Sequence, residues 1–480
     1  SVFMNLTDED KQKFKELQAQ IGKTTAGKKK DKIDINSQGL DGSGAQSGND
    51  GGSPPRTEPT REQLERRKQR ELTRNLISIL RGLSVRIPLL IYGANVKIRE
   101  NITAEKFPDL IDKASWDEFM PKGVTKEMYK NFVKYYDQDV FVSAGLRIRQ
   151  MASEADELPP TERVKRIAEI FSLFKNPDKE TVLTPWRVVN MHMSECLGGY
   201  NFFNESFDDT IEDPVFVNRG KVTADTLANP DAKILEINSK TGLYPLYVAY
   251  SLFRAKMDKI DADKRNDKTA EEVWKDVVQN NVFVICKTEM AKMITQRTLM
   301  GYRKDKINAH AFDDIIMQLK EKQEQFKKKV TRGSFWNKEN GTMKFDAVVG
   351  NPPYQGTNHQ QIYPYFYLLS RELAKYSSLI FPTGWQASKK ANNLSKMNNK
   401  DVKCDPQIHF IDNYQNIFPG ISGAEWVNVV LWEKDYNNGL EGKQKILTNG
   451  REEKVINLTI KQDALKPDEI IRLANKVAKA

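Results

Sequence analysis

The tetrapeptide Asn351-Pro352-Pro353-Tyr354 closes the stretch FDAVVGNPPYQG, residues 345 to 356. Val348 and Val349 read as the end of a buried strand. The two prolines that follow fix φ and remove two backbone donors, so a β-ladder cannot continue through them. The chain is expected to leave a sheet here, with the Asn351 amide held at a strand's carboxyl end and the Tyr354 ring just beyond. In open parallel sheets ligands bind at that edge. A second pattern is KILEINSKTGLYPLYVAYSLF, which predicts a strand ending in Glu236, a turn containing Gly242 and then a helix. Such a turn suits a nucleotide or cofactor, because glycine admits close backbone approach and a carboxylate accepts ribose hydroxyls. The same pattern also describes an ordinary connection from strand to helix. In TVLTPWRVVNMHM, residues 181 to 193, Thr184 and Pro185 stand where a helix begins, and capping is the commoner use of such residues. No G-x-x-x-x-G-K-[ST] occurs in the sequence, which argues against a phosphate-cradling ATPase loop.

Elements able to position these residues are legible from residue 180 onward. Short apolar runs AKILEIN, NVFVIC, DKINAH, FDAVVG, SSLIFP, IHFIDN and VNVVLWEK alternate with stretches of helical spacing. Strands alternating with helices imply βαβ units, an α/β fold and a parallel, doubly wound sheet. The last two runs lack a helix-length spacer, so an antiparallel pair is expected to end the sheet. Upstream, Leu64, Leu72, Leu76, Leu80 and Leu83 recur at helical spacing beneath an Arg- and Glu-rich face, and Val164, Ile167, Phe171 and Phe174 form another stripe. The expected organisation is a helix plus a Gly/Ser/Lys-rich linker or mobile insertion over 1–70 and a mostly helical connector domain over 71–175. A sheet domain over 176–440 and, over 441–480, a polar tail or the start of a target recognition domain complete it. No repeat of 20 to 50 residues is visible. Tyr363, Tyr365, Phe366 and Tyr367 are expected to pack a helix, and Lys389 and Lys390 are candidates for phosphate contact.

Composition narrows the partners. The 480 residues are 39% hydrophobic and carry a formal charge of +10, with a pI near 9.1. That balance suits an anionic partner, nucleic acid first. No run of about 20 apolar residues and no secretory signal pattern is seen, so a cytoplasmic location without a membrane is expected. The three cysteines and four histidines are scattered without zinc spacing, so no metal site is expected.

Taken together, Asn351-Pro352-Pro353-Tyr354, the turn from Glu236 to Gly242 and the segment 181 to 193 resemble the gamma-type N6-adenine DNA methyltransferases of restriction-modification enzymes, over about residues 180 to 435. In that family the order is motif X, cofactor motif I, then the catalytic tetrapeptide, on a Rossmann-like sheet with an antiparallel last strand. The resemblance implies S-adenosyl-L-methionine as cofactor, bound by Thr184, Pro185, Glu236, Asn238 and Gly242. It implies Asn351, Pro352, Pro353 and Tyr354 as catalytic residues and double-stranded DNA with a flipped adenine as substrate. Tyr354 and Phe418 would stack on the target base, although a core role fits Phe418 equally. SILRGLSVRIPLLIYGANV resembles the connector of large helicase-fused restriction or defence enzymes, which implies helicase, nuclease and target-recognition parts outside this sequence.

The residue types suit this chemistry. Adenine N6 is a poor nucleophile whose lone pair is delocalised into the ring, and the base must leave the duplex to be reached. The Asn351 side-chain oxygen and the Pro352 carbonyl can accept both N6 hydrogens and aim the lone pair at a sulfonium methyl, so positioning carries the step and no strong base is needed. Stacking on Tyr354 would contribute about 1 to 3 kcal/mol. The sequence departs from the family at three places: Lys240 stands where the first motif I glycine falls, Ile237 replaces the proline after the acid, and Ile285, Cys286 and Lys287 occupy the zone of the ribose-binding acid after the second strand. The third-strand acid has Asn308, His310, Asp313 and Asp314 as candidates. Two other readings are a methylase-like module that positions DNA without catalysis, and a protein-glutamine N5 methyltransferase.

Overall fold

The computed structural model describes residues 61–175, 183–356, 360–387, 397, 400–418 and 426–459. The helix expected within residues 1 to 24, the Gly/Ser/Lys-rich stretch after it, Lys389 and Lys390 lie outside the described residues. In chain order the strands are β1 (Gly199–Phe203), β2 (Thr210–Val217), β3 (Ile234–Ser239), β4 (Val282–Cys286), β5 (Asn308–Ala311), β6 (Phe345–Gly350), β7 (Ala374–Pro382), β8 (Ile408–Gln415), β9 (Trp426–Glu433), β10 (Gln444–Thr448) and β11 (Arg451–Ile456). The first two form an antiparallel ribbon, and the other nine form one sheet in the order β11-β10-β8-β9-β7-β6-β3-β4-β5. β3 runs parallel to β4 on one side and to β6 on the other, so the order of connection reverses at β3. The carboxyl ends of β3 and β6 thus meet at the topological switch point of the sheet.

Every apolar run expected as a strand is one. Alternation along them separates two cores: Ile234, Val284, Ala347 and Val349 face one side, while Leu235, Ile237, Ile285 and Val348 face the other. The antiparallel strand is β9, inserted between β7 and β8. The sheet does not end there, however. β10 adds parallel to β8 and β11 antiparallel to β10, so part of the segment expected as a polar tail or the start of a target recognition domain extends the sheet. Their short, half-polar sequence hid them, because edge strands need only one apolar face.

The helical region shares a core with the sheet. One continuous cluster runs from Leu76 and Leu90 through Trp116 and Val164 to Ile234 and Val349. Helix Ile87–Gly93 crosses helix Glu289–Met300 so closely that a Cβ on Gly93 would stand 2.4 Å from Ile294 Cγ1, and the Tyr92 hydroxyl lies 3.3 Å from that of Thr298. The boundary anticipated at 175/176 therefore falls inside one core. Segment Leu64–Gly93 is long and apolar enough to cross a membrane by composition, yet 61% of its most apolar window is buried inside the protein. Tyr363, Phe366 and Tyr367 pack helix Tyr363–Leu373 onto the second core.

Candidate active site at the carboxyl edge of the sheet

β6 ends where the two prolines begin, and its exit is pressed against β3. Gly350 has φ +139°, and a Cβ there would meet Glu236 Cγ at 3.2 Å. Only glycine lets the strand leave so close to that side chain. The ladder pairs Glu236 with Val349, which puts Asn351 just past Glu236 on the neighbouring strand. Pro352 is buried, while Asn351, Pro353 and Tyr354 are half-buried.

Asn351 is held from across the chain. Its Nδ2 donates to Thr184 Oγ1 at 3.0 Å, and its Oδ1 is buried without a hydrogen-bond partner among the described residues. Thr184 lies just ahead of helix Trp186–Cys196, whose N-cap, Pro185, makes no side-chain cap. The Thr184 hydroxyl thus serves the amide of Asn351. The Tyr354 ring touches both hydrophobic clusters, and burial pushes its phenol well above the ordinary tyrosine range.

On β3, burial raises the Glu236 carboxyl to about 8, opposed by a hydrogen bond with Ser239. Its Oε2 has no partner. Asn238 occupies a register irregularity with φ +70°, a left-handed conformation that asparagine tolerates, and its Nδ2 is buried without a partner. Gly242 also has a positive φ, +77°, and a Cβ there would stand 3.0 Å from Thr295 Cα. It therefore serves the turn and the contact with helix Glu289–Met300. That helix ties down the turn as well, since Thr298 Oγ1 donates to the Thr241 carbonyl at 2.6 Å.

Not every expected residue joins this group. Phe418 is 3% exposed and packs in the hydrophobic core. On β5, Asn308 Nδ2 donates to the carbonyls of Gln279 at 2.6 Å and Val282 at 3.0 Å, and His310 stacks on Phe335 with ring centroids 3.9 Å apart. Both are occupied in holding the strand. Sequence reading missed a buried polar bridge behind the site. His192 Nδ1 lies 2.7 Å from the Tyr244 hydroxyl and its Nε2 2.8 Å from that of Ser378. Burial lowers the imidazole to about 3, so it is neutral. It also missed Asn428, whose Oδ1 accepts from Trp385 Nε1 at 2.8 Å and Gln386 Nε2 at 2.9 Å while its Nδ2 has no partner. These partners converge from distant segments and leave no local pattern.

Part of the chain matches a known protein family. Residues 280–418 match the family of the Eco57I restriction-modification methylase. That span contains Asn351 to Tyr354 and begins after the turn at Glu236 to Gly242. An uncharacterized adenine-specific methylase of Mycoplasma pneumoniae is 31% identical over 121 residues, 22% of this chain and 27% of that protein. The chain thus spans about a quarter of the length of that curated relative. Among solved structures, a type I restriction-modification methyltransferase subunit from Streptococcus thermophilus aligns with TM-score 0.36 and 13% identity, over 76% of this chain and 65% of that one. The Type ISP restriction-modification enzyme LlaBIII bound to DNA aligns with TM-score 0.39 and 12% identity, over 91% of this chain and 29% of that one.

Proposed function

Starting from a chain whose residues 280–418 match a restriction-modification methylase family, we propose that it methylates adenine N6 in DNA, with S-adenosyl-L-methionine as methyl donor. One observation carries this reading: the Asn351 amide is clamped through its nitrogen by Thr184 while its oxygen stays buried and without a partner. A buried acceptor left unsatisfied is costly, which favours a ligand that supplies the missing donor. An exocyclic amine is such a donor.

The buried groups of β3 fit the cofactor. Glu236 Oε2 lacks a donor and Asn238 Nδ2 lacks an acceptor, one strand from Asn351. Glu236, Asn238 and the turn to Gly242 would hold it, with Thr184 and Pro185 beside Asn351. When bound, S-adenosylmethionine supplies an electrophilic methyl on a sulfonium. Asn351 Oδ1 and the Pro352 carbonyl accept the two N6 hydrogens of an adenine extruded from duplex DNA, and the half-buried Tyr354 ring stacks on it. The Thr184 hydroxyl keeps the amide from rotating, so the nucleophile is presented in one orientation. With the methyl of a bound sulfonium donor transferred to N6, one N6 proton would leave through these acceptors to water.

The test is transfer of labelled methyl from S-adenosylmethionine to duplex DNA by the wild type and Asn351→Ala, with a peptide bearing an acceptor glutamine in parallel and cofactor binding followed by calorimetry. Label in DNA that is lost in the variant is the expected result. Label in the peptide instead would make the chain a glutamine N5 methyltransferase, and binding without transfer to either would leave a module that positions DNA.

A further inference from the structure

The turn after β3 carries two residues in left-handed backbone, Asn238 at φ +70° and Gly242 at φ +77°. A non-glycine residue held there stores strain, so the shape of the turn depends on what grips it from outside. The grip comes from helix Glu289–Met300, which aims two threonine hydroxyls at the turn from one face. Thr295 Oγ1 lies 3.2 Å from Ser239 Oγ, which accepts from Gly242 N at 3.2 Å, and Thr298 Oγ1 donates to the Thr241 carbonyl at 2.6 Å. Thr298 has one hydroxyl proton and a second carbonyl in reach, that of Ile294 at 2.9 Å, to which a threonine inside a helix ordinarily bonds back. Because that proton goes to a carbonyl, the hydrogen bond between Thr298 and the Tyr92 hydroxyl, 3.3 Å away, takes its proton from Tyr92. Donation from Tyr92 fixes the rotation of the Thr298 hydroxyl and strengthens its own hold on Thr241.

Packing alone does not call for that phenol. Tyr92 is 1% exposed, and its ring meets Phe171 and Phe174 edge-on with centroids 5.3 and 5.8 Å away, contacts that a phenylalanine would make equally. A hydroxyl buried among such rings costs free energy unless it is bonded, and its bond is to Thr298. The two helices are locked beside it: Arg297 donates to the carbonyls of Tyr92 and Ala94, each at 3.3 Å.

We infer that Tyr92, from the helical region, is a positioning residue for the cofactor: through Thr298 it holds the Thr241 carbonyl, so the helical region sets the shape of the turn and with it the affinity for the nucleoside cofactor. The inference rests on the proposed use of S-adenosylmethionine. Tyr92 and Thr298 act through the turn and not on the ligand. Without their hold the turn samples more than one arrangement, and binding carries the cost of ordering it.

The experiment uses the full chain as wild type, Y92F, T298V, T298S and the Y92F/T298V double variant, with thermal unfolding to check that each folds. Binding of S-adenosylhomocysteine is measured by calorimetry, and amide hydrogen exchange over residues 238–243 is measured without ligand. Y92F and T298V are each expected to bind about tenfold more weakly, the double variant no more weakly than T298V, and T298S close to the wild type. Exchange over the turn should quicken about tenfold in Y92F. A folded Y92F that keeps its affinity would overturn the assignment, and so would losses that multiply in the double variant, because the two hydroxyls would then act separately. Unchanged exchange in Y92F would overturn it without any ligand. A wild type that binds no S-adenosylhomocysteine would overturn the cofactor reading and with it the link to affinity, while faster exchange in Y92F would still establish the hold on the turn.

Discussion

The two edges of the nine-stranded sheet hold different kinds of buried polar groups. At the amino edge the charges are partnered. Glu433 accepts from Lys221 Nζ at 2.8 Å, His409 Nε2 at 2.8 Å and Tyr376 at 3.1 Å, Asp225 accepts from Lys375 and Tyr376, and Asp346 accepts from the backbone of Lys233 at 2.7 Å. At the carboxyl edge Glu236, Asn238, Asn351 and Asn428 each keep a buried polar atom without a partner. One sheet supplies both edges, so fold alone does not explain the contrast. Partnered charges fasten the strand starts, where Asn281 Oδ1 and Arg371 Nη1 are also buried without a partner among the described residues, whereas the carboxyl edge gathers four residues with such atoms around the exits of β3 and β6 and on β9.

Breaking one residue at each edge should separate activity from stability. On the proposed function, Asn351→Ala removes the acceptor for the reacting nitrogen and is expected to lower methyl transfer by roughly a hundredfold to a thousandfold. Its thermal unfolding should stay close to the wild type, since the Asn351 side chain is half-buried and is held through its amide nitrogen by one threonine hydroxyl. Equal rates in the two proteins would end the catalytic reading. Glu433→Ala leaves Lys221, His409 and Tyr376 without their shared acceptor, and should cost about 3 kcal/mol in denaturant unfolding. Its rate per folded molecule should be unchanged. A comparable loss of activity in Glu433→Ala would erase the distinction between the edges.

How far this contrast is legible in the sequence depends on the range over which each feature is encoded. The strands were readable because apolar runs such as NVFVIC and FDAVVG are bounded by turn residues, and the rim position of Asn351 followed from two prolines alone. The clamp from Thr184 was not readable, because 167 residues separate it from Asn351 and both partners look like ordinary cap and turn residues. Phe418 is a limiting case: an aromatic after a strand is equally compatible with core and with base stacking, and only the packed structure puts it inside. β10 and β11 were hidden because their alternation is short and their pairing is fixed by β8. The place of Tyr92 beside Thr298 is likewise a product of tertiary packing.

The contrast also has a pH signature. Glu236 titrates near 8 in the folded chain against 4.5 when exposed, so the folded state holds a proton that the unfolded state has released between those values. Wild-type stability should therefore fall as pH rises through that window and level off above it, by about 2 kcal/mol between pH 5 and pH 7. Glu236→Gln lacks this slope, so the variant's unfolding temperature should gain on the wild type as pH rises. Saturating cofactor should flatten the wild-type curve by supplying donors to the carboxylate, and parallel curves for the two proteins would show that the carboxyl is already satisfied.

The smallest effect should come from the clamp itself. Thr184→Val replaces the hydroxyl with a methyl of similar volume, leaving the Asn351 amide in place but free to turn about its last side-chain bond. A freely turning amide presents its nitrogen instead of its oxygen for part of the time, and an oriented acceptor is what the reaction requires. The expected loss is about tenfold in the single-turnover rate, equivalent to about 1.4 kcal/mol, with cofactor affinity held within about threefold. Thr184→Ser, which restores the hydroxyl, should recover most of the rate. If Thr184→Val instead weakens cofactor binding and leaves the rate at saturation unchanged, the residue belongs with Glu236 and Asn238 on the cofactor side, and the amide of Asn351 must be oriented by the two prolines alone.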